Sequence, residues 1–356
     1  MSRFLHEDYA SLVPYTPGEQ LNDRKYIKLN TNENPYPPAP GVRAVLDSFD
    51  EDRLKLYPVL TQEPLLAALA KEYDLKTENL FVANGSDDVI AWLIMAFTGR
   101  GGRLACPDIT YSFYPVYAQL FGVTLHQIPL REDFRVAAED YLGLDCNILI
   151  ANPNAPTGLV LTIDEIEKIV VSNPDRLVVI DEAYVAFAKE NVSCVSLVKK
   201  YDNLAVVHTM SKSYSLAGGR VGYCMASPAI IEDLNKIRFS FNPYSMNTLS
   251  LLIATAAVED RDYHRLCTDK VVAARDYAIG ALRKAGFTCT DSQSNFIFVK
   301  PPRGTAADYY RLLRERGILI RYFSAPRINE YMRISIGTQE QMQQVVAAML
   351  TITEEL

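Results

Sequence analysis

The sequence predicts an α/β protein in which a mainly parallel sheet of seven strands lies between layers of helices, with a smaller α+β domain and an N-terminal arm. Three observations predict this class. Apolar runs of strand length alternate with helical patterns between about residues 60 and 230, and a different order follows after about residue 260. The chain of 356 residues, 49% apolar and 22% charged, is also long enough for two domains and has a globular composition.

The predicted strands and helices follow one another along the larger domain. Seven apolar runs predict strands at Leu80–Val82, Arg103–Cys106, Val123–Ile128, Ile148–Ala151, Leu177–Ile180, Ala205–Val207 and Val221–Met225. Helical spacing predicts helices at Pro64–Tyr73, Asp87–Phe97, Tyr114–Phe121 and Ile163–Val171. In such sheets ligands bind at the carboxyl ends of the strands, so we expect the chemistry there.

The remaining segments predict the smaller domain and the arm. The predicted order is a long helix over residues 261–285, strand Asn295–Val299, helix Ala306–Arg316, strands Ile318–Tyr322 and Met332–Ile336, and a last helix at Glu340–Ile352. The first forty residues are rich in Pro, Asn and Tyr and show no period, which indicates an arm over a cleft or a neighbouring subunit. We therefore expect an arm at residues 1–35, a large cofactor-binding domain at 36–245 and a small domain at 246–356.

Composition and charge exclude several classes of function. A formal net charge of -7 provides no basic surface for nucleic acid. No apolar run approaches the roughly 20 residues of a membrane span, and the first residues do not resemble a secretory signal, so the cytoplasm is the expected compartment. The six cysteines are scattered without metal-ligand spacing, so neither a metal site nor a disulfide framework is expected.

A lysine after an apolar strand is the most informative residue. Lys212 follows the run Leu204–Val207 in a loop of hydroxyls and glycines, and Arg220 comes eight positions later. Desolvation and a nearby cation lower the pKa of a lysine, which leaves some free amine able to attack a carbonyl. Thr209, Ser211 and Arg220 can bind a phosphate beside it. The alternative is a solvated surface lysine.

Two turns at strand ends supply further groups. Gly85, Ser86 and Asp87 form a glycine turn and the start of a helix, whose exposed N–H groups can bind phosphate. An ordinary helix cap is the alternative interpretation. The segment Asn152–Gly158 forms a rigid turn that can aim the Asn154 amide inward, although most such segments are only turns.

A carboxylate comes directly after another apolar strand. Asp181 follows Val178–Ile180, and Tyr184 lies three residues further on. A buried acid needs a cationic partner or becomes neutral, whereas a helix-capping acid would need neither. Together, the four segments suit a ligand with a phosphate, a ring nitrogen cation, a ring oxygen and an aldehyde. Pyridoxal 5′-phosphate has all of these groups, and a lysine Schiff base facing an acid is typical of its sites.

The chain resembles the fold-type I aminotransferases and, within them, the histidinol-phosphate aminotransferases. The resemblance covers nearly the whole chain. It rests on the ordered motifs Asn32–Tyr36, Asn84–Asp88, Pro107–Tyr117, Asn152–Gly158, Asp181–Tyr184, Thr209–Gly222 and Met332–Gly337.

The resemblance implies a role for each cofactor-binding residue. Lys212 would bind the cofactor's aldehyde and move the substrate's proton, Asp181 would keep the ring nitrogen protonated, and Tyr184 and Asn154 would hydrogen-bond the ring oxygen. The phosphate would be bound by the Gly85 turn and by Ser86, Asp87, Thr209, Ser211 and Arg220. Tyr111 would stack on the ring, and Tyr57 would reach the cofactor of a neighbouring subunit, which makes the active unit a homodimer.

The resemblance also implies the substrate contacts. Arg333 would bind the anionic end of the substrate, with Arg321, Tyr15 and Asn154 as further contributors. The stretch Asn242–Asn247 only partly matches the family pattern near the substrate pocket, while Pro37 and Ala155 are departures outside the expected chemistry.

The function implied is transfer of an amino group between a small-molecule donor and a 2-oxo acid. Histidinol phosphate and 2-oxoglutarate are the expected pair, giving imidazole acetol phosphate and glutamate in histidine biosynthesis. Three alternatives stay open: an aromatic amino acid aminotransferase, a threonine-phosphate decarboxylase and a regulatory protein that binds the cofactor without turnover. Tyr184 argues against the decarboxylase, in which phenylalanine is common, and the chain has no spare segment for the DNA-binding module of such regulators.

Overall fold

The computed structural model describes residues 2–21 and 23–356; residues 1 and 22, which fall in the predicted arm, lie outside the described residues. The strands are β1 (Ile27–Lys28), β2 (Leu80–Ala83), β3 (Arg103–Pro107), β4 (Thr124–Ile128), β5 (Asn147–Ala151), β6 (Val178–Asp181), β7 (Leu204–Thr209), β8 (Gly222–Ala226), β9 (Thr288–Cys289), β10 (Phe296–Lys300), β11 (Ile318–Leu319), β12 (Arg321–Tyr322) and β13 (Met332–Ser335). The α-helices are α1 (Pro40–Ser48), α2 (Leu65–Tyr73), α3 (Ser86–Leu93), α4 (Tyr114–Phe121), α5 (Ile163–Val171), α6 (Pro228–Phe241), α7 (Thr248–Glu259), α8 (Arg261–Lys284), α9 (Ala306–Glu315) and α10 (Gln339–Glu355).

The large sheet contains seven strands in the order β2-β8-β7-β6-β5-β3-β4. β8 runs antiparallel to both of its neighbours, and the other pairs are parallel. The predicted mainly parallel sheet of seven strands is therefore confirmed, and each strand end agrees with the sequence pattern within two residues. The carboxyl ends of β5, β6 and β7 lie side by side, as the pairs Ala151 with Asp181 and Asp181 with Val207 show.

The apolar runs are long because the sheet is buried on both faces. In β5, Ile148 and Ile150 pack with the helices α1, α2, α5 and α7, whereas Leu149 and Ala151 pack on the opposite face with α3, α4 and α6. Alternate residues of a strand point to opposite faces, so a strand covered on both sides must be apolar throughout. At about 25 cal/mol per Å² of apolar surface removed from water, these two layers dominate the stability of the sheet.

The C-terminal module has its own antiparallel sheet, in the order β12-β13-β10-β9, packed against α8, α9 and α10. The predicted single strand Ile318–Tyr322 is wrong, because the chain switches sheets at Ile320. β11 pairs in parallel with β1 from the N-terminal segment, whereas β12 pairs with β13. The N-terminal segment is thereby hydrogen-bonded to the C-terminal module.

The predicted helix Asp87–Phe97 is helical throughout but changes type after Leu93. The α-helix ends at Leu93, and a wider π-helical turn, Ile94–Thr98, follows it. Its closing bond runs from the Gly99 amide to the Ile94 carbonyl, five residues back, at 2.9 Å. Gly99 leaves this turn at φ 64°, a conformation that costs a glycine little.

Helix α7 packs in the core of the large sheet, on α1 and α2, although its residues fall within the predicted small domain. The proposed boundaries at residues 35 and 245 stay a prediction. Within residues 2–21 and 23–356, no helix combines the length and apolarity needed to cross a membrane.

Candidate active site

A cavity of about 650 Å³ lies at the carboxyl ends of the central strands, between the large sheet and the C-terminal module. Most of the residues that the sequence predicted for a site line it: Tyr15, Ser86, Asp87, Tyr111, Asp181, Tyr184, Thr209, Ser211, Lys212, Arg220, Arg321 and Arg333. Gly85, Asn154 and Tyr57 are not among the lining residues. The fold therefore brings residues from the two ends of the chain to one edge of the sheet.

Lys212 lies in the loop that follows β7, and its side chain lines the cavity. Its Nζ donates to the carbonyl of Thr31 at 3.2 Å and lies 5.9 Å from the centre of the Tyr184 ring. Burial away from water lowers the pKa of Lys212 to about 8, and the positive charge of Arg333 is the second largest cause. Roughly a tenth of this amine is therefore uncharged and nucleophilic at pH 7.

Asp181 is 5% exposed at the end of β6. Its carboxylate accepts hydrogen bonds from the Tyr114 hydroxyl at 2.8 Å and from the Ala183 amide at 3.2 Å. Burial nevertheless raises the pKa of Asp181 to about 6, because these two bonds only partly replace water. A cation placed against this carboxylate would remove the penalty of burying its charge.

The glycine turn before α3 makes room for an arginine. A Cβ on Gly85, whose φ is 97°, would lie only 2.6 Å from Nη2 of Arg220. On the other side, a Cβ on Gly222 would lie 2.2 Å from the Ser86 amide nitrogen, so β8 packs directly on the start of the helix. The hydroxyls of Thr209 and Ser211, 3.0 Å apart, complete this end.

Tyr111 and Asn154 were both predicted to contact the cofactor ring, but only Tyr111 lines the cavity. Tyr111 lines the cavity, and its hydroxyl donates to Asp87 at 3.1 Å. The amide of Asn154 is buried behind the wall instead. It accepts from the Thr110 hydroxyl at 2.8 Å and donates to the Ile109 carbonyl at 2.9 Å.

The opposite end of the cavity carries two arginines. Arg333 donates to the Asn30 carbonyl at 2.9 Å, while its Nε is buried without a hydrogen-bond partner in the described structure. Arg321 donates to the arm carbonyls of Thr16 and Pro17 at 3.1 and 3.3 Å. Tyr15, on the same arm, packs its ring 5.0 Å from that of Phe113. The arm therefore lies against this end of the cavity.

Comparison with known proteins assigns the chain to a family. The sequence profile described as Aminotransferase class I and II matches residues 24–349. The chain belongs to this family. The predicted aminotransferase is therefore confirmed, with a small-molecule amino donor and a 2-oxo acid as its substrates.

The curated relatives of this aminotransferase narrow the branch. A histidinol-phosphate aminotransferase of Brachyspira hyodysenteriae is 46% identical over 342 residues, which cover 96% of each chain. One from a Marinomonas species is 46% identical over 355 residues, covering 99% of this chain and all of the relative. The resemblance stated from the motifs is thus confirmed over nearly the full length.

Solved structures show the same fold. The histidinol-phosphate aminotransferase of Sinorhizobium meliloti, in complex with pyridoxal-5′-phosphate, superposes with a TM-score of 0.85 at 24% identity, covering 93% of this chain and 92% of the other. The L-threonine-O-3-phosphate decarboxylase of Porphyromonas gingivalis gives 0.79 at 24% identity, covering 92% and 99%. At these identities the likeness is one of fold alone, since proteins of different function share it.

The sequence reasoning missed several residues that line the cavity of this aminotransferase or hold a lining residue from behind. Tyr114 was assigned only to a helix, although it holds Asp181, and its spacing of three residues from Tyr111 was the available signal. Asp108 and Arg327 form an ion pair at 3.0 Å and both line the cavity, and no local pattern in the sequence relates them. Asn32 lines the wall beside Tyr184.

Proposed function

We propose that this aminotransferase uses pyridoxal 5′-phosphate to transfer the amino group of histidinol phosphate to 2-oxoglutarate, as a step of histidine biosynthesis. One observation carries the proposal: a single cavity joins the Lys212 amine and the buried Asp181 carboxylate to a pair of arginines at the far end. The names of the full-length relatives support the choice of donor.

The residues fit the proposed cofactor. Gly85 leaves room for the Arg220 guanidinium, which lines the cavity together with Ser86, and this guanidinium and the amides at the start of α3 can donate to a phosphate. The uncompensated Asp181 suits a protonated ring nitrogen. When bound, pyridoxal 5′-phosphate supplies an aldehyde and an electron-withdrawing ring.

Lys212 and Asp181 divide the proposed chemistry. With its pKa of about 8, Lys212 would hold the aldehyde of the cofactor as a free amine and, once released, would take the proton from the α-carbon of the donor. Asp181, held by Tyr114, would keep the ring nitrogen protonated. Tyr184 would hold the ring through its hydroxyl, and Tyr111 would pack against the ring.

Arg333 and Arg321 bind the anionic end of the donor, with Tyr15 closing the arm over it. An arginine fork fits a phosphate or a carboxylate bidentately, so the same pair serves histidinol phosphate and 2-oxoglutarate in turn. The Nε of Arg333, which has no partner in the described structure, is the donor available for this purpose.

We also propose that the active form is a cytoplasmic homodimer. Tyr57 is 79% exposed and stacks on Tyr244 at 4.4 Å, outside the cavity of its own chain. Leu54, Leu56 and Val59 are exposed around it, and an apolar surface of this kind favours a protein partner. A second copy placed there would receive Tyr57 at its cofactor.

The test is a single-turnover absorbance measurement. Cofactor-loaded protein is mixed separately with histidinol phosphate, phenylalanine, tyrosine, threonine phosphate and glutamate. We expect fast conversion of the cofactor to its amine form with histidinol phosphate and glutamate and slow conversion with the others. Equal or faster conversion with the aromatic amino acids would replace the proposed donor, and Tyr111 and Phe323 in the lining make these amino acids the second candidate.

A further inference from the structure

Asn32 is held rigidly in the cavity wall. It is 2% exposed and has a left-handed backbone conformation with φ 56°. Its amide nitrogen donates to Ser335 Oγ at 2.8 Å, and its carbonyl accepts from Asn295 Nδ2 at 2.9 Å. Its side chain accepts from Ser335 Oγ at 2.9 Å and donates to Tyr184 Oη at 3.1 Å.

These bonds fix which way the Asn32 amide points. Ser335 Oγ accepts from the Asn32 backbone, so its own hydrogen goes to Oδ1 of Asn32. The reverse orientation would leave the hydroxyl hydrogen of Ser335, which is 2% exposed, without an acceptor. Nδ2 must therefore face Tyr184, and Tyr184 must accept.

An accepting Tyr184 keeps its own hydrogen for another partner. Because Asn32 offers only N–H to it, the hydroxyl hydrogen of Tyr184 is not consumed in the wall and can be donated into the cavity, which Tyr184 lines. If the Asn32 amide were reversed, its oxygen would accept that hydrogen, and Tyr184 could no longer donate it into the cavity.

We propose that Asn32 is a positioning residue that keeps the Tyr184 hydroxyl a donor toward the ring oxygen of the cofactor. The inference rests on the proposed function. A hydroxyl that donates to this oxygen draws negative charge from it, so the oxygen holds the neighbouring proton on the Lys212 nitrogen less tightly. Loss of the donor should raise the pH at which that proton leaves.

The test is a pH titration of the visible absorbance of the protein loaded with pyridoxal 5′-phosphate, without substrate. Asn32→Gly suits the positive φ and removes only the side chain. We expect its midpoint to rise by roughly 0.5 pH unit, in the direction given by Tyr184→Phe but by less, because the hydroxyl keeps its hydrogen and loses only the N–H that orients and polarises it. Ser335→Ala leaves the Asn32 side chain in place but removes the hydroxyl that orients its amide and accepts from its backbone N–H, so it should give a smaller rise.

The double variant Asn32→Gly/Tyr184→Phe separates this role from a general effect on the fold. Its midpoint should equal that of Tyr184→Phe alone, because Asn32 acts only through that hydroxyl. Asn79→Ala is the matched control: its side chain donates to the Ala226 carbonyl at 3.0 Å and does not line the cavity, so its midpoint should not move.

Other outcomes overturn the inference in distinguishable ways. An unmoved midpoint in Asn32→Gly, or a rise of equal size in the Tyr184→Phe background, overturns the inference and leaves the proposed function intact. A wild type that shows no titrating cofactor band overturns the proposed function and the inference with it.

Discussion

The two ends of the cavity are built differently. The proposed cofactor end consists of Asp181, Lys212 and the turn at Gly85, which lie at or after the ends of strands in one sheet whose pairing fixes their spacing. The proposed substrate end consists of Tyr15, Arg321 and Arg333, which come from the arm and the C-terminal module. There, both arginines donate to backbone carbonyls of the N-terminal segment.

This difference indicates that the large sheet positions the reacting groups, whereas the arm and the C-terminal module recognise the substrate. A sheet buried on both faces holds reacting groups in fixed positions, as preorganised catalysis requires. The proposed function needs a site that accepts a phosphate and then a dicarboxylate, and we expect the contacts with the arm to adjust to each. Substitutions at the cofactor end should therefore change kcat or cofactor affinity, whereas those at the substrate end should change KM.

The largest effect is expected at Lys212. Lys212→Ala removes both the nucleophile and the proton carrier, so transamination should fall about 10⁴-fold or more, measured by single turnover. The unfolding transition should remain cooperative, since no core packing is lost. Retention of a tenth of the wild-type rate would remove Lys212 from the mechanism.

Asp181→Asn should reduce kcat by about 10²–10³-fold while leaving measurable cofactor binding. The amide can still accept from Tyr114 but cannot balance a ring nitrogen cation. Spectroscopic titration measures the cofactor, and steady-state kinetics measure the rate. A near-normal kcat would refute the electrostatic role.

Arg333→Lys tests whether the substrate end of the cavity controls KM and not kcat. It keeps the charge but loses the planar fork, so KM for histidinol phosphate should rise about 10- to 100-fold with little change in kcat or cofactor affinity. Arg311→Lys, an exposed arginine paired with Glu315, is the matched control. A loss confined to kcat would erase the proposed division between the two ends.

The pH dependence of cofactor-free protein tests the buried charge of Asp181. Its folded pKa, about 6, is above the ordinary value of 3.8, so the folded state binds more protons between these limits and stability falls as pH rises from 4 to 6. Asp181→Asn should be relatively more stable above pH 6 by about 1–3 kcal/mol in chemical denaturation. Asp175→Asn, at an exposed site, should parallel the wild type; a parallel Asp181→Asn curve would contradict the assignment.

The smallest effect concerns the glycine turn. Gly85→Ala forces a side chain into a conformation that only glycine adopts readily and displaces Arg220, so cofactor affinity should fall about tenfold. Fluorescence titration of cofactor-free protein measures it. Gly218→Ala, where a Cβ would meet open space, should bind normally. Equal cofactor affinities in the two variants would exclude the steric role proposed for Gly85.

The sequence predicted the cofactor end better than its surroundings. Each group there lies within five residues of the end of an apolar run, so one local pattern predicted both the strand and the residue. Contacts between distant segments were not predictable in this way. Ser335 and Asn32 share no pattern, and two-residue β1 is too short to show the period that would have divided Ile318–Tyr322.

The position of β2 has a consequence for the newly made chain. β2 lies at the edge of the large sheet, and β8 is its partner, with Leu80 beside Met225. Until β8 leaves the ribosome, β2 has no strand to join, and pairing across such a separation is slow. Arg220 and Gly222 meet the helix start only when this pair closes. We therefore expect the chain to bind its cofactor only late in folding, after the large sheet is complete.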